Sequence, residues 1–93
     1  SLPDFDARDG LADAELVTLF AWSEEEFLRR TEGGPIRRIG HVRWLRNIAV
    51  ALGNALRATG DERLRAALLT RADDPSALVR EHVAWALLEE KRP

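Results

Sequence analysis

Apolar residues recur along this chain at intervals of three and four, and in no window do they alternate with polar residues as a half-buried strand would. The clearest stripe is Leu45, Ile48, Leu52, Ala55 and Leu56. It predicts a helix over about 41–58 with Arg43, Arg46, Asn47, Asn54 and Arg57 on its other side. Leu16, Val17, Leu19 and Phe20 predict a shorter helix near 14–21, capped by Asp13. Ser23 followed by Glu26 is a capping-box pattern for a helix over about 24–31 that buries Phe27 and Leu28. Gly33-Gly34 ends that helix, and Pro35 suits the first position of a new short turn. Gly60 is a stop signal, and Asp61 caps a helix of about 62–72 with Leu64, Ala67, Leu68 and Leu69 inward. Asp73-Asp74-Pro75 closes it and starts a last helix, about 75–91, which uses Leu78, Val79, Val83, Trp85, Ala86 and Leu87. Residues 1–12 read as an extended lead-in anchored by Phe5 and Leu11.

A weak internal repeat adds architecture to this string of helices. Arg46 through Gly53 resembles Arg80 through Leu87, and the second copy, opened by Asp74-Pro75, looks like a HEAT-type repeat. The expected fold is all-α: one domain over 1–93, a small HEAT-like right-handed stack of about five to six antiparallel helices. In such a stack Arg80 is structural, bonded to Asp73 or Asp74. Gly53, in mid-helix, allows close approach of either a neighbouring helix or a nucleic-acid backbone. Trp22, Trp44 and Trp85 each lie beside an apolar stripe and are read as core in preference to base-stacking platforms.

Composition narrows the function classes. The chain has 93 residues, 45% hydrophobic and 32% charged, an ordinary balance for a globular domain. It has no apolar run long enough for a membrane span and no signal-peptide pattern, so a cytoplasmic location without membrane contact is expected. The absence of an initiating Met suggests a fragment or a processed chain. With no cysteine, disulfides, thiolate metal sites, iron–sulfur ligation and cysteine nucleophiles are all excluded for these residues. His41 and His82 lack companions at metal-ligand spacing, and the Ser and Thr hydroxyls have no placed base. Neither a catalytic nor a metal site is expected here, so the segment itself is not an enzyme.

Charge is unevenly placed. Residues 1–28 carry eight acidic side chains and one basic, whereas 29–46 carry six arginines against Glu32 alone. The remainder cancels to leave a net charge of −2. A mildly acidic chain with its surplus positive charge in one short segment is expected to have an anion-binding surface there. Arg37 and Arg38 sit on the turn opened by Pro35; Arg43, Arg46, Asn47 and Asn54 share a helix face behind them. Guanidinium forks match phosphate oxygens, and Asn can bond a sugar or a base edge.

At these residues the chain resembles a known family. Asp4-Phe5 with Arg8-Asp9-Gly10-Leu11, Leu19 through Phe27, Pro35 through Gly40, Trp44 through Asn54 and Val79 through Leu87 are similar to the C-terminal region of bacterial epoxyqueuosine reductases. That family usually has Ser where Gly34 stands. The resemblance implies an enzyme that reduces the epoxide of a tRNA wobble nucleoside with cobalamin and two [4Fe–4S] clusters held upstream. It implies for this segment no cofactor of its own, but a HEAT-like domain that grips tRNA with a GUN anticodon beside the upstream catalytic domain. By the same resemblance Arg37, Arg38, Arg43, Arg46, Asn47 and Asn54 become candidate tRNA contacts, with His41 as a neutral hydrogen-bonding partner. Two alternatives stand beside it: a helical-repeat module that binds a protein partner, and a structural cap whose arginines pair with an acidic surface, including the acidic stretch of the same chain.

Overall fold

The computed structural model describes residues 12–89, and those residues form an all-α fold without strands. Five α-helices follow in order: α1 (Asp13–Phe20), α2 (Glu24–Arg30), α3 (His41–Thr59), α4 (Glu62–Leu69) and α5 (Ala77–Glu89). A 3-10 turn, Pro35–Ile39, stands before α3. The expected anchors Phe5 and Leu11 and the lead-in before residue 12 lie outside the described residues.

Local chemistry explains the boundaries. Ser23 Oγ accepts from the Glu26 amide at 3.1 Å, and Asp61 Oδ1 accepts from the Arg63 amide at 2.9 Å, as N-caps do. Gly60 ends α3 in the left-handed region at φ 68°. Three expectations shift. The N-cap of α1 is Ala12, whose amide donates to the Glu15 carboxylate, so Asp13 sits inside the first turn, where its charge favours the helix dipole. Glu26 completes no capping box; its carboxylate turns to Arg29 and Arg30 at 2.5 Å each. Helix α4 stops at Leu69 instead of running to 72, and α5 starts at Ala77, because Ser76 caps it by accepting from the Val79 amide.

α3 is the central element. Trp44, Leu45, Ile48, Ala49, Leu52 and Leu56 are all buried, and α1, α2, α4 and α5 pack around that stripe with Phe20, Phe27, Leu64, Leu68, Val79 and Val83. Trp22 stacks on Trp44 at 5.1 Å between ring centres, and Phe27 meets Trp44 at 4.9 Å. The most extensive helix pairing is α3 with α5. A Cβ added at Gly53 would lie 2.7 Å from the Ala86 Cβ and 3.2 Å from its Cα. Close helix packing is therefore the reason for glycine in mid-helix.

Several residues expected inside are not. Trp85 is 40% exposed, Leu69 53% and Leu28 37%, and Leu78 and Leu87 are half-buried. The buried row of α5 is Val79, Val83 and Ala86, spaced four and three, which leaves Trp85 on the flank of the contact. Leu28 is next to Phe27 on a helix of seven residues and turns a full 100° away from the core. Leu69, the last residue of α4, likewise follows the buried Leu68.

The expected Arg80 contact also changes partner. Arg80 Nη1 donates to the backbone oxygens of Asp74 (2.7 Å) and Pro75 (3.0 Å), not to a carboxylate. The Asp74 carboxylate is taken by Arg71 at 2.8 Å. Arg71 reaches further, donating from Nε to the Phe20 oxygen at 2.7 Å and from Nη2 to the Trp22 oxygen at 2.9 Å. One guanidinium thus ties the loop after α1 to the loop before α5.

Candidate nucleic-acid interface

From Gly33 to Gly60 the chain holds no acidic residue, and its exposed side chains lie on the 3-10 turn and on the outer side of α3. The 3-10 turn is fixed from below by Ile36, half-buried against the core, which leaves Arg37 and Arg38 exposed above it. Gly40, at φ 86°, a value that favours glycine, then swings the chain into α3. His41, the first residue of α3, holds the junction: its Nε2 lies 2.8 Å from the Trp22 carbonyl oxygen. A carbonyl only accepts, so Nε2 carries the proton. His41 is thus bonded to the fold at that nitrogen and half-buried.

Arg43 is exposed on the first turn of α3, which has no acidic residue to balance it. A cation there faces the positive end of the helix dipole, an arrangement that costs stability in isolation and favours an anion nearby. Among the described residues the side chains of Arg37, Arg38 and Arg43 form no ion pair or hydrogen bond. Arg29 and Arg30, by contrast, share the one carboxylate of Glu26. Among the described residues the acidic stretch therefore meets the basic segment only at those two arginines, and offsets one of their two charges.

Further along α3 the surface is built from two Arg–Asn pairs. Arg46 Nε donates to Asn47 Oδ1 at 2.9 Å, and Arg57 Nη2 donates to Asn54 Oδ1 at 2.6 Å. Arginine can only donate, so each amide oxygen is the acceptor of the pair and each Asn NH₂ remains a donor. The residues Arg43, Arg46, Asn47, Asn54 and Arg57 share one side of a helix, over about 21 Å from first to last. The face presents donors and positive charge, the complement of phosphate and sugar oxygens. Arg57 belongs to it although its charge alone did not single it out; the signal is its position three residues after Asn54.

Two residues of α5 border this face, and periodicity did not mark them as surface groups. His82 and Trp85, with Glu81, line a groove of about 390 Å³ floored by Val50. Val50 lies three residues after Asn47 and four before Asn54, within the Arg/Asn row.

The sequence comparisons agree on one kind of protein. Over 96% of its length the chain is 73% identical to the epoxyqueuosine reductase of Alicycliphilus denitrificans. Over 94% it is 66% identical to that of Xanthomonas campestris pv. campestris and 55% identical to that of Escherichia coli K12. The chain is homologous to one segment of the epoxyqueuosine reductases. It spans about a quarter of the length of these relatives: 26%, 24% and 22% in turn. The similarity bears out the resemblance drawn from the Pro35–Gly40 and Trp44–Asn54 blocks. No protein-family model matches the chain, and no solved structure does.

Proposed function

We propose that this chain is the C-terminal, HEAT-like tRNA-binding domain of an epoxyqueuosine reductase. In this reading it holds a cytoplasmic tRNA with a GUN anticodon so that the wobble nucleoside reaches the upstream domains, where epoxyqueuosine is reduced to queuosine. The observation that carries the reading is the exposed trio Arg37, Arg38 and Arg43, without ion pairs among the described residues, at the head of the segment Gly33–Gly60, which holds no acidic residue. Arg46, Asn47 and Asn54 extend the same row of donors, and His41 fixes its start. The repeat likeness between α3 and α5 and their close packing support the HEAT-like stack.

Such an enzyme is expected to use cobalamin and two [4Fe–4S] clusters. The residues here do not fit a cluster: the chain has no cysteine, and among the described residues no three His, Asp or Glu side chains group together. In this reading the reductive chemistry belongs to the upstream domains, and this segment contributes position.

The test is a titration of the chain with a GUN-anticodon tRNA between roughly 50 and 200 mM salt. Binding that weakens steeply with salt is expected. The variant Arg37→Glu/Arg38→Glu/Arg43→Glu, shown to be folded by circular dichroism, should lose affinity and lower the salt slope by about 2 to 3. Absence of binding at the lowest salt, or equal binding by the folded variant, would remove the role.

A further inference from the structure

We propose that the groove between α3 and α5 is a stacking subsite for one unpaired nucleobase, and that it favours a base bearing an exocyclic amino group. The inference rests on the tRNA-binding reading and adds a site to it.

The position of the groove is the first argument. Its floor, Val50, sits inside the Arg/Asn row, so Asn47 and Arg46 lie one helical turn before it and Asn54 one turn after. A ligand in the groove is therefore flanked along α3 by donors suited to backbone oxygens on both sides. The wall is the second argument. Trp85 is a large aromatic left 40% exposed where the sequence pattern places core. Its ring is seated by Gly53, whose missing Cβ would lie 3.6 Å from Trp85 Cζ3. An indole seated at Gly53 and left 40% exposed can serve as a platform for a flat ring, and aromatic stacking is how single-stranded RNA bases are bound. The volume, about 390 Å³, admits a base.

The polar groups of the groove set which base. His82 Nδ1 lies 2.9 Å from the Leu78 carbonyl oxygen, so Nδ1 is the donor and the neutral ring keeps Nε2 as an acceptor. Glu81 adds an exposed carboxylate, which only accepts and which disfavours phosphate inside the groove. Acceptors within and donors at the rim match a nucleotide that donates through its base edge and accepts through its phosphates. Cytosine presents an amino donor where uracil presents a carbonyl acceptor on a ring of the same size, so the pair isolates this preference.

The experiment measures binding of this chain to short single-stranded RNAs: oligo(C), oligo(U) and an abasic oligomer of the same length. Oligo(C) should bind tightest and quench tryptophan emission, and Trp85→Leu should weaken it about 5- to 150-fold, to the abasic level. Trp85→Phe should retain most of the affinity. Glu81→Gln, at an exposed position, should lower the oligo(C)-to-oligo(U) ratio, and it serves even where a Trp85 variant fails to fold. Equal binding of oligo(C) and the abasic oligomer, or unchanged oligo(C) binding by folded Trp85→Leu, would overturn the subsite. In that event a protein partner becomes the better occupant of the groove. Salt-sensitive tRNA binding alongside either result would leave the tRNA-binding reading intact. Loss of all RNA binding at low salt would sink both.

Discussion

Arg57 Nη2 donates to Asn54 Oδ1 at 2.6 Å, and this bond determines what the last turns of α3 present to a ligand. With Arg57 on its oxygen, Asn54 keeps an NH₂ group that can only donate. Asn54→Asp separates the two jobs of this residue. The carboxylate would keep Arg57 in place through a stronger, charge-assisted bond but turn a donor into an acceptor. Thermal stability should hold, and affinity for tRNA should fall several-fold. Unchanged affinity would mean that Asn54 only positions Arg57.

Gly53 and Ala86 give a stability test. Gly53→Ala gains about 1 kcal/mol of helix propensity but places a methyl 2.7 Å from the Ala86 methyl, which cannot rotate away. Overpacking of this kind costs about 1–3 kcal/mol, so net destabilisation is expected. For a domain of this size each kcal/mol lowers Tm by about 4–8 °C. Thermal denaturation of Gly53→Ala beside Gly53→Ala/Ala86→Gly should show recovery in the double variant.

Arg71 is the second place where one substitution should act strongly. Its partner Asp74 has a side chain only 8% exposed. Arg71→Ala would leave that carboxylate without its cation, at a cost of about 3–5 kcal/mol. Arg71→Lys should recover little, since one ammonium cannot reach three acceptors held by a planar fork. Urea denaturation of both variants checks this; a Lys variant as stable as the parent would show that the two backbone contacts contribute nothing.

Acid should weaken the helix ends. The Glu26 carboxyl is held below its ordinary range by hydrogen bonds from Arg30 and Arg29, and Asp61 by those from Arg63. A depressed folded-state pKa contributes stability that is present above the ordinary carboxylate range and lost as pH falls through the folded value. Stability should therefore decline on acidification below about pH 4, and Glu26→Gln and Asp61→Asn should flatten that decline. A profile identical in the variants would show that other carboxylates govern acid unfolding.

Helix positions were legible because their signals are local. Ser23, Asp61 and Gly60 act on backbone groups within four residues, and the stripe from Leu45 to Leu56 is a property of one helix. The basic row was legible for the same reason, since Arg43, Asn47 and Asn54 share a face by spacing alone. Arg71 was not, because its acceptors Phe20 and Trp22 lie 51 and 49 residues away and are backbone oxygens, which carry no side-chain signature. Trp85 was misplaced because periodicity orients a helix without saying where the neighbouring helix ends. Asp74 drew Arg71 instead of Arg80 for a related reason: both are in reach along the chain, and the three-dimensional path of the loop chose between them.

The oxygen of Trp22 receives hydrogen bonds from both His41 and Arg71. Three segments far apart in sequence are thus clamped at a single atom: the start of α3, the loop after α4 and the bend between α1 and α2. The arginine-bearing turn grows directly from the first of these, so its backbone is already set before any ligand arrives. Little chain entropy is left to lose on association, and what an incoming polyanion must still order is only the arginine side chains themselves.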